Sequence, residues 1–200
     1  MRLFRRDHTR DGDEALMRLI ARGDEQAFTV LYERHGRALF RYFHRMLWKD
    51  KEKAEDFVQD FFMKIIRNPG QYDPSRRFVT WMYSVAHNMC KNEYRKQELR
   101  KPASFGIAEE TIAGDSGAQA EKRVDRKAFL RLLFDELEQL DEDHRTTFLL
   151  RYEEEFSIKE ISRVLDCSEG TVKSRLFYTL RKLSVRLKDY APEHLKNERA

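Results

Sequence analysis

SIKEISRVLDCSEGTVKSRLFYTLRKL, residues Ser157 to Leu183, encodes a helix, a tight turn and a second helix with a basic outer stripe. Ile158, Ile161, Val164 and Leu165 recur at helical spacing and mark the inner face of the first helix. Asp166-Cys167 makes the break, and Ser168 is an N-cap for the second helix. There Val172, Leu176, Leu180 and Leu183 form the expected buried stripe. Lys173, Phe177 and Arg181 form the outer one, with Ser174 beside it. An aromatic ring on a cationic face is not explained by solvation alone. It suits a major groove, where cations meet phosphates and guanine edges and an apolar group meets a thymine methyl. Helical hairpins with a basic face also occur in proteins that never touch DNA, so the rest of the chain has to decide.

Charge is segregated along the 200 residues, and the net +4 conceals it. Residues 67–101 hold eight Lys/Arg against three Asp/Glu, and residues 169–188 hold six against one. Between them, 103–120 carries three acids and no base, and 135–155 carries nine acids against two bases. Two separate cationic blocks point to two contacts with one polyanion; the alternative is that both are solvated faces, which two matched blocks make less comfortable. At 37% charged and 40% hydrophobic, with eight glycines and four prolines, the composition is that of a helix-rich chain with few turns. Cys90 and Cys167 lie on or beside apolar stripes, without a CxxC pair or a His at ligand spacing. They read as small buried hydrophobes in a reducing compartment. No apolar run approaches membrane-spanning length, and MRLFRRDHTRDGDE lacks the apolar core of a signal peptide. A cytoplasmic protein without membrane insertion is expected.

The organisation reads as all-α. Asp13 to Ala21 forms a short helix ended by Gly23. A long helix follows, with Phe28, Leu31, Tyr32, His35, Leu39, Phe43, Met46 and Leu47 inward. A third runs from about Lys53 to Arg67 and stops at Asn68-Pro69-Gly70. A loop from Gln71 to Phe78 leads to a fourth helix, about Val79 to Lys101, closed by Pro102. PASFGIAEETIAGDSGAQA is small, polar and acidic, and reads as a flexible linker. Helices resume at about Lys122–Leu140 and Asp143–Tyr152, before the helix-turn-helix. Two small helical domains, 13–101 and 122–190, joined by an acidic linker over 102–121, are the predicted architecture.

Two helix faces carry chemistry. In the third helix Ala54, Phe57, Val58, Phe61, Phe62, Ile65 and Ile66 form the core stripe, while Asp56, Gln59 and Asp60 gather on another face. Such a face repels DNA; it is either plain solvated surface or the counterpart of a basic protein surface. The fourth helix is the reverse. Met82, Val85, Ala86, Met89 and Cys90 face inward, and Ser84, His87, Asn88, Lys91, Asn92 and Arg95 form an outer stripe that Trp81 continues. Amides, cations and an indole together offer base-edge hydrogen bonds, phosphate contacts and a stacking platform. Asn88 and Asn92 are poor mid-helix residues, so they ask for a reason; local hydrogen bonding is one, nucleic acid the other.

With these residues in place, AEDFVQDFFMKIIRNPGQYDPSRRFVTWMYSVAHNMCKNEYRK, residues 54–96, resembles the second conserved region of bacterial sigma factors, and the helix-turn-helix resembles the fourth. The small size and short linker resemble the extracytoplasmic-function (ECF) group of the sigma-70 family. The likeness spans about residues 14–101 and 123–188, and two motifs in this order are more specific than either alone. It implies a transcription initiation factor that binds core RNA polymerase, recognises the minus-10 and minus-35 promoter elements and promotes opening. It implies that Asp56, Gln59 and Asp60 grip the clamp helices of the largest polymerase subunit. It assigns Tyr72, Phe78, Trp81, Ser84, His87, Asn88, Lys91, Asn92 and Arg95 to the minus-10 element, with the 71–78 loop capturing an extruded base. It assigns Lys173, Ser174, Arg175 and Phe177 to the minus-35 element, with Thr171, Arg181 and Lys182 on phosphates. An anti-sigma factor is a further implied partner.

Three positions depart from the family pattern. Asp60 stands where Glu is more usual, Trp81-Met82 where housekeeping relatives carry two tryptophans, and His87 where Arg is frequent. The last two imply weaker melting and a narrower promoter set. The resemblance also implies that the linker, with Glu109, Glu110 and Asp115, threads the polymerase interior. Two other classes remain open on sequence. A stand-alone helix-turn-helix regulator would bind duplex DNA without polymerase. A nucleic-acid enzyme would need clustered acids, and Asp56/Asp60 lack a third on their face. No catalytic residue, metal site or cofactor is expected.

Overall fold

Polar side chains cap the starts of five of the described helices. The computed structural model of the chain describes residues 8–100 and 126–188. Within them the helices are α1 (Asp13–Ile20), α2 (Glu25–Met46), α3 (Lys51–Arg67), α4 (Phe78–Arg100), α5 (Arg126–Glu138), α6 (Glu142–Tyr152), α7 (Ile158–Val164) and α8 (Glu169–Arg186), with a 3-10 turn at Pro69–Gln71. No strand occurs among the described residues. The linker expected over 102–121, with its three acids, lies outside them.

Asp24 accepts hydrogen bonds from the Gln26 and Ala27 amides at 3.0 Å each, Asp50 from Lys53 at 3.0 Å, and Asp141 from His144 at 3.0 Å. Each satisfies a donor that a helix start would otherwise orphan, worth about 1 kcal/mol. Ser157 and Glu160 form a reciprocal capping box at the start of α7, and Ser168 caps α8 through the Thr171 amide at 3.0 Å. Gly23 breaks α1 from α2 at φ 85°, and Asp166 makes the helix-turn-helix bend at φ 48°.

The long α2 is the spine of the first helical block, with α1 and α3 packed on it and α4 against α2 and α3. Leu31, Leu39, Phe43 and Met46 bury completely there. Tyr32 and Ile66, expected in the core, are instead rim residues; Tyr32 lies half-exposed on the Phe62 ring at 4.8 Å. In α8 the buried stripe is Val172, Leu176, Thr179 and Leu183, and Leu180 is 42% exposed. A 3.6-residue period explains the exchange: steps of four, three and four hold one line, whereas a second consecutive step of four drifts off it.

Helices fill both stretches of the described chain, 13–100 and 126–186, and their apolar interiors join. One continuous cluster runs from Leu16, Phe43 and Ala86 through Leu149 and Phe156 to Ile161, Val164 and Val172. A smaller one gathers Leu137, Leu140, Phe148, Leu183 and Leu187. Across the seam the Tyr83 ring meets Phe156 edge-on at 5.4 Å, and the Arg45 guanidinium sits 3.1 Å over the Phe134 ring. Arg145 of α6 is buried at the join. It donates to the carbonyls of Met46 at 3.2 Å, Leu137 at 3.0 Å, Glu138 at 2.7 Å and Leu140 at 2.8 Å, and to the Tyr94 hydroxyl at 3.3 Å. These carbonyls end α2 and α5, where helix dipoles leave partial negative charge, so the cation is neutralised without a carboxylate.

Candidate nucleic-acid interface

Three surfaces are built on this frame. On α3, the inward Ala54, Val58, Phe61 and Ile65 fix the helix rotation and leave Asp56, Gln59 and Asp60 together in solvent. Among the described residues none of the three takes part in an ion pair, so two carboxylates and an amide stand free for a cationic partner. Half-exposed Met63 continues the same line one turn on.

On α4 the predicted outer stripe divides. Asn88, Asn92 and Arg95 face solvent. Ser84, His87 and Lys91 follow the neighbouring line of the helix, toward α6 and α7, and are partly or wholly covered. Ser84 Oγ donates back to the Thr80 carbonyl at 3.1 Å. His87 is only 4% exposed; its Nδ1 lies 3.2 Å from Thr146 Oγ1 and its Nε2 3.4 Å from Asp143 Oδ1.

The loop aromatics also correct an expectation. Tyr72 is 4% exposed and Phe78 fully buried, packed with Trp81 at 5.3 and 5.8 Å. The Tyr72 hydroxyl donates to the Arg76 carbonyl, and burial pushes its pKa up to about 12. Glu14 of α1 accepts from the Phe78 amide at 2.9 Å, capping α4 from another helix. In this structure Tyr72 and Phe78 therefore form the floor beneath the loop. Its exposed tip is Asp73 to Arg77, bent by Asp73 accepting from the Ser75 amide at 2.9 Å and hydroxyl at 2.8 Å.

On α8, Lys173, Ser174, Phe177, Arg181 and Lys182 are exposed. Phe177 is 61% exposed and Tyr178, which sequence reading passed over, 59%; their rings meet edge-on at 5.5 Å. Tyr178 extends the aromatic patch one position round the helix, a signal available in the Phe-Tyr pair itself. Thr171 is partly buried, its hydroxyl 2.9 Å from that of Ser168. Arg175 departs from the outer face. It turns inward to pair with Asp143 and donates to Cys167 Sγ at 3.6 Å.

Asp143 thus collects His87 from α4 and Arg175 from α8. The His87 hydrogen bond, then the Arg175 charge, hold its carboxyl below the ordinary aspartate range. Sequence reading registered the 135–155 acids as a charge block. It counted the two bases there, Arg145 and Arg151, but a charge count carries no signal of which groups meet across helices. Among the described residues no group of three His, Cys, Asp or Glu could hold a metal, and no helix is long and apolar enough to cross a membrane.

Residues 31–100 match Sigma-70 region 2 and residues 130–183 match Sigma-70, region 4. The chain is 30% identical over 171 residues to the ECF RNA polymerase sigma-E factor of Haemophilus influenzae, covering 82% of this chain and 89% of the relative. It is 31% identical over 175 residues to the RNA polymerase sigma-H factor of Pseudomonas aeruginosa, covering 84% and 90%. Among solved structures, CnrH in complex with the cytosolic domain of CnrY aligns with a TM-score of 0.65 and 26% identity, over 90% of this chain and all of that one. The sigma factor RpoE of Bartonella quintana, solved with the anti-sigma factor NepR, shares the fold at a TM-score of 0.56 and 24% identity, over 74% and 89%. The chain belongs to the sigma-70 family of RNA polymerase sigma factors, in its extracytoplasmic-function group.

Proposed function

We propose that this protein is a transcription initiation factor that loads onto core RNA polymerase, recognises a promoter at its minus-10 and minus-35 elements and promotes opening. The observation that carries the reading is the presence of both sigma regions, in order, in one chain that aligns with sigma factors over nearly their whole length. The exposed acid face of α3 at Asp56, Gln59 and Asp60 is the surface for core polymerase. Asn88, Asn92 and Arg95 on α4 are the accessible minus-10 readers, with Trp81 at the edge of the aromatic floor. Lys173, Ser174, Phe177 and Tyr178 on α8 read the minus-35 duplex, with Arg181 and Lys182 on phosphates. Work in the cytoplasm and restraint by an anti-sigma factor belong to the same reading.

Run-off transcription with purified core polymerase tests it. Addition of the chain should give promoter-dependent transcripts where core alone gives none. Tight duplex binding by the chain alone, with no effect on core, would favour the stand-alone regulator.

A further inference from the structure

We propose that Asp143 of α6 is a positioning residue for the minus-35 reader: by holding Arg175 it fixes the rotation of α8, and Arg175 is a brace and not itself a reader. The inference rests on the sigma-factor reading of α8.

The brace joins three pieces of one helical block. Asp143 lies in the first turn of α6 and pairs through Oδ2 with Arg175 Nη2. The other guanidinium nitrogen, Nη1, donates to Cys167 Sγ at 3.6 Å in the turn before α8. The Cys167 amide in turn donates to the Ser162 carbonyl of α7 at 3.0 Å. One guanidinium therefore ties α6, the α7–α8 turn and α8 together. His87 of α4 meets the other carboxylate oxygen, Oδ1, at 3.4 Å, so the pair with Arg175 does not depend on it.

Helical geometry separates Arg175 from the outward side chains. At about 100° per residue it lies roughly 160° round α8 from both Lys173 and Phe177. It borders the buried line of Val172, Thr179 and Leu183 instead, and only 19% of its side chain is exposed. An ion pair on that flank, with α6 across it, stops α8 from rolling about its own axis. Base-edge hydrogen bonds need the helix set to a fraction of an ångström, whereas a flexible lysine on a phosphate tolerates a roll. Loss of the brace should therefore cost selectivity before it costs general affinity.

The two roles of Arg175 predict opposite signs. A reader restrained by Asp143 would be freed by Asp143→Ala, and promoter binding would tighten. A brace would be cut by the same substitution, and minus-35 selectivity would fall.

The test uses holoenzyme assembled with the full chain, on a promoter that the wild type transcribes and on single-base variants of its minus-35 and minus-10 elements. Asp143→Ala and Arg175→Met should each compress discrimination among minus-35 variants about fivefold, the lower end of what one base contact supplies. Both should leave minus-10 discrimination and the slope of log affinity against log salt at wild-type values. The double variant should do no more than either single one, because each removes the same pair. Glu142→Ala, the preceding residue in the same turn, controls for the lost charge. Circular dichroism checks folding, and Asp143→Asn replaces the alanine variant if that one unfolds.

Tighter promoter binding by Asp143→Ala would overturn the proposal. So would additive losses in the double variant, or a salt slope lowered by about 1 in Arg175→Met, the mark of a phosphate contact. Equal losses at both elements, or the same loss in Glu142→Ala, would reduce the effect to stability or charge and overturn it as well. A wild-type holoenzyme indifferent to the minus-35 sequence would instead refute the reading of α8 itself, a result that shows before any variant is made.

Discussion

Replacing Arg145 by Met should cost about 3 kcal/mol of stability. The side chain is buried and makes five hydrogen bonds, yet not all are lost equally. The Met46 carbonyl keeps the Tyr94 hydroxyl as a donor, and the Leu137 carbonyl keeps the Leu140 amide at 3.2 Å. Glu138 and Leu140 lose the donors at 2.7 and 2.8 Å that their carbonyls share with no other described group. Two orphaned buried acceptors cost about 1–3 kcal/mol each. Together that is about 2–6 kcal/mol, and the cleft of about 170 Å³ beside Trp48, Tyr94 and Arg145 lets water reach part of the site, which places the sum in the lower half, at about 3 kcal/mol. For a chain of this size the melting temperature should fall by roughly 6–12 °C. Thermal and urea unfolding followed by circular dichroism measure it. Arg145→Lys, which keeps the charge but not the fork of donors, should lie between. A Met variant within about 0.5 kcal/mol of wild type would show that the buried guanidinium is not what holds these helix ends together.

Other outcomes follow from the exposed faces and from one buried histidine. Asp56→Arg with Asp60→Arg should abolish co-purification with core polymerase and leave the circular dichroism spectrum unchanged, because neither side chain touches the core. Asn88→Ala should weaken minus-10 selectivity by about 1–3 kcal/mol, read by transcription from minus-10 variants. Lys173→Ala should act on minus-35 variants instead, and lower the slope of log affinity against log salt by about 1 if it meets a phosphate. The hydrogen bond to Asp11 raises the pKa of His8 above 6.5. Its stabilisation is therefore fully present below about pH 6.5 and is lost as pH rises through the raised value. His8→Gln should flatten the melting temperature across that window; an unchanged slope would place the proton elsewhere.

Local punctuation made the helices legible. Gly23, Asn68-Pro69-Gly70 and Ser168 mark starts or stops through backbone chemistry that needs no knowledge of the rest of the fold. The acid face of α3 was legible for the same reason, since one helix fixes its own faces. Tyr72, Phe78, His87 and Arg175 were not. Their placement depends on what lies across from them, Trp81 for the first two and Asp143 of α6 for the others. Periodicity places a side chain on a line of the helix. It is silent on whether another helix from 56 residues along the chain covers that line, as α6 does over His87. The exchange of Leu180 for Thr179 is a smaller case, in which hydropathy overrode the helical angle.

Tyr83 against Phe156, beside Ile161 and Val164, makes the seam between the blocks mainly apolar around a small polar centre. Wetting it would carry a positive heat capacity, and the driving force for keeping it dry weakens on cooling. A van't Hoff plot of separation should consequently curve. The chain would carry a thermal bias of its own: chilling loosens the grip of one block on the other before either block loses its helices.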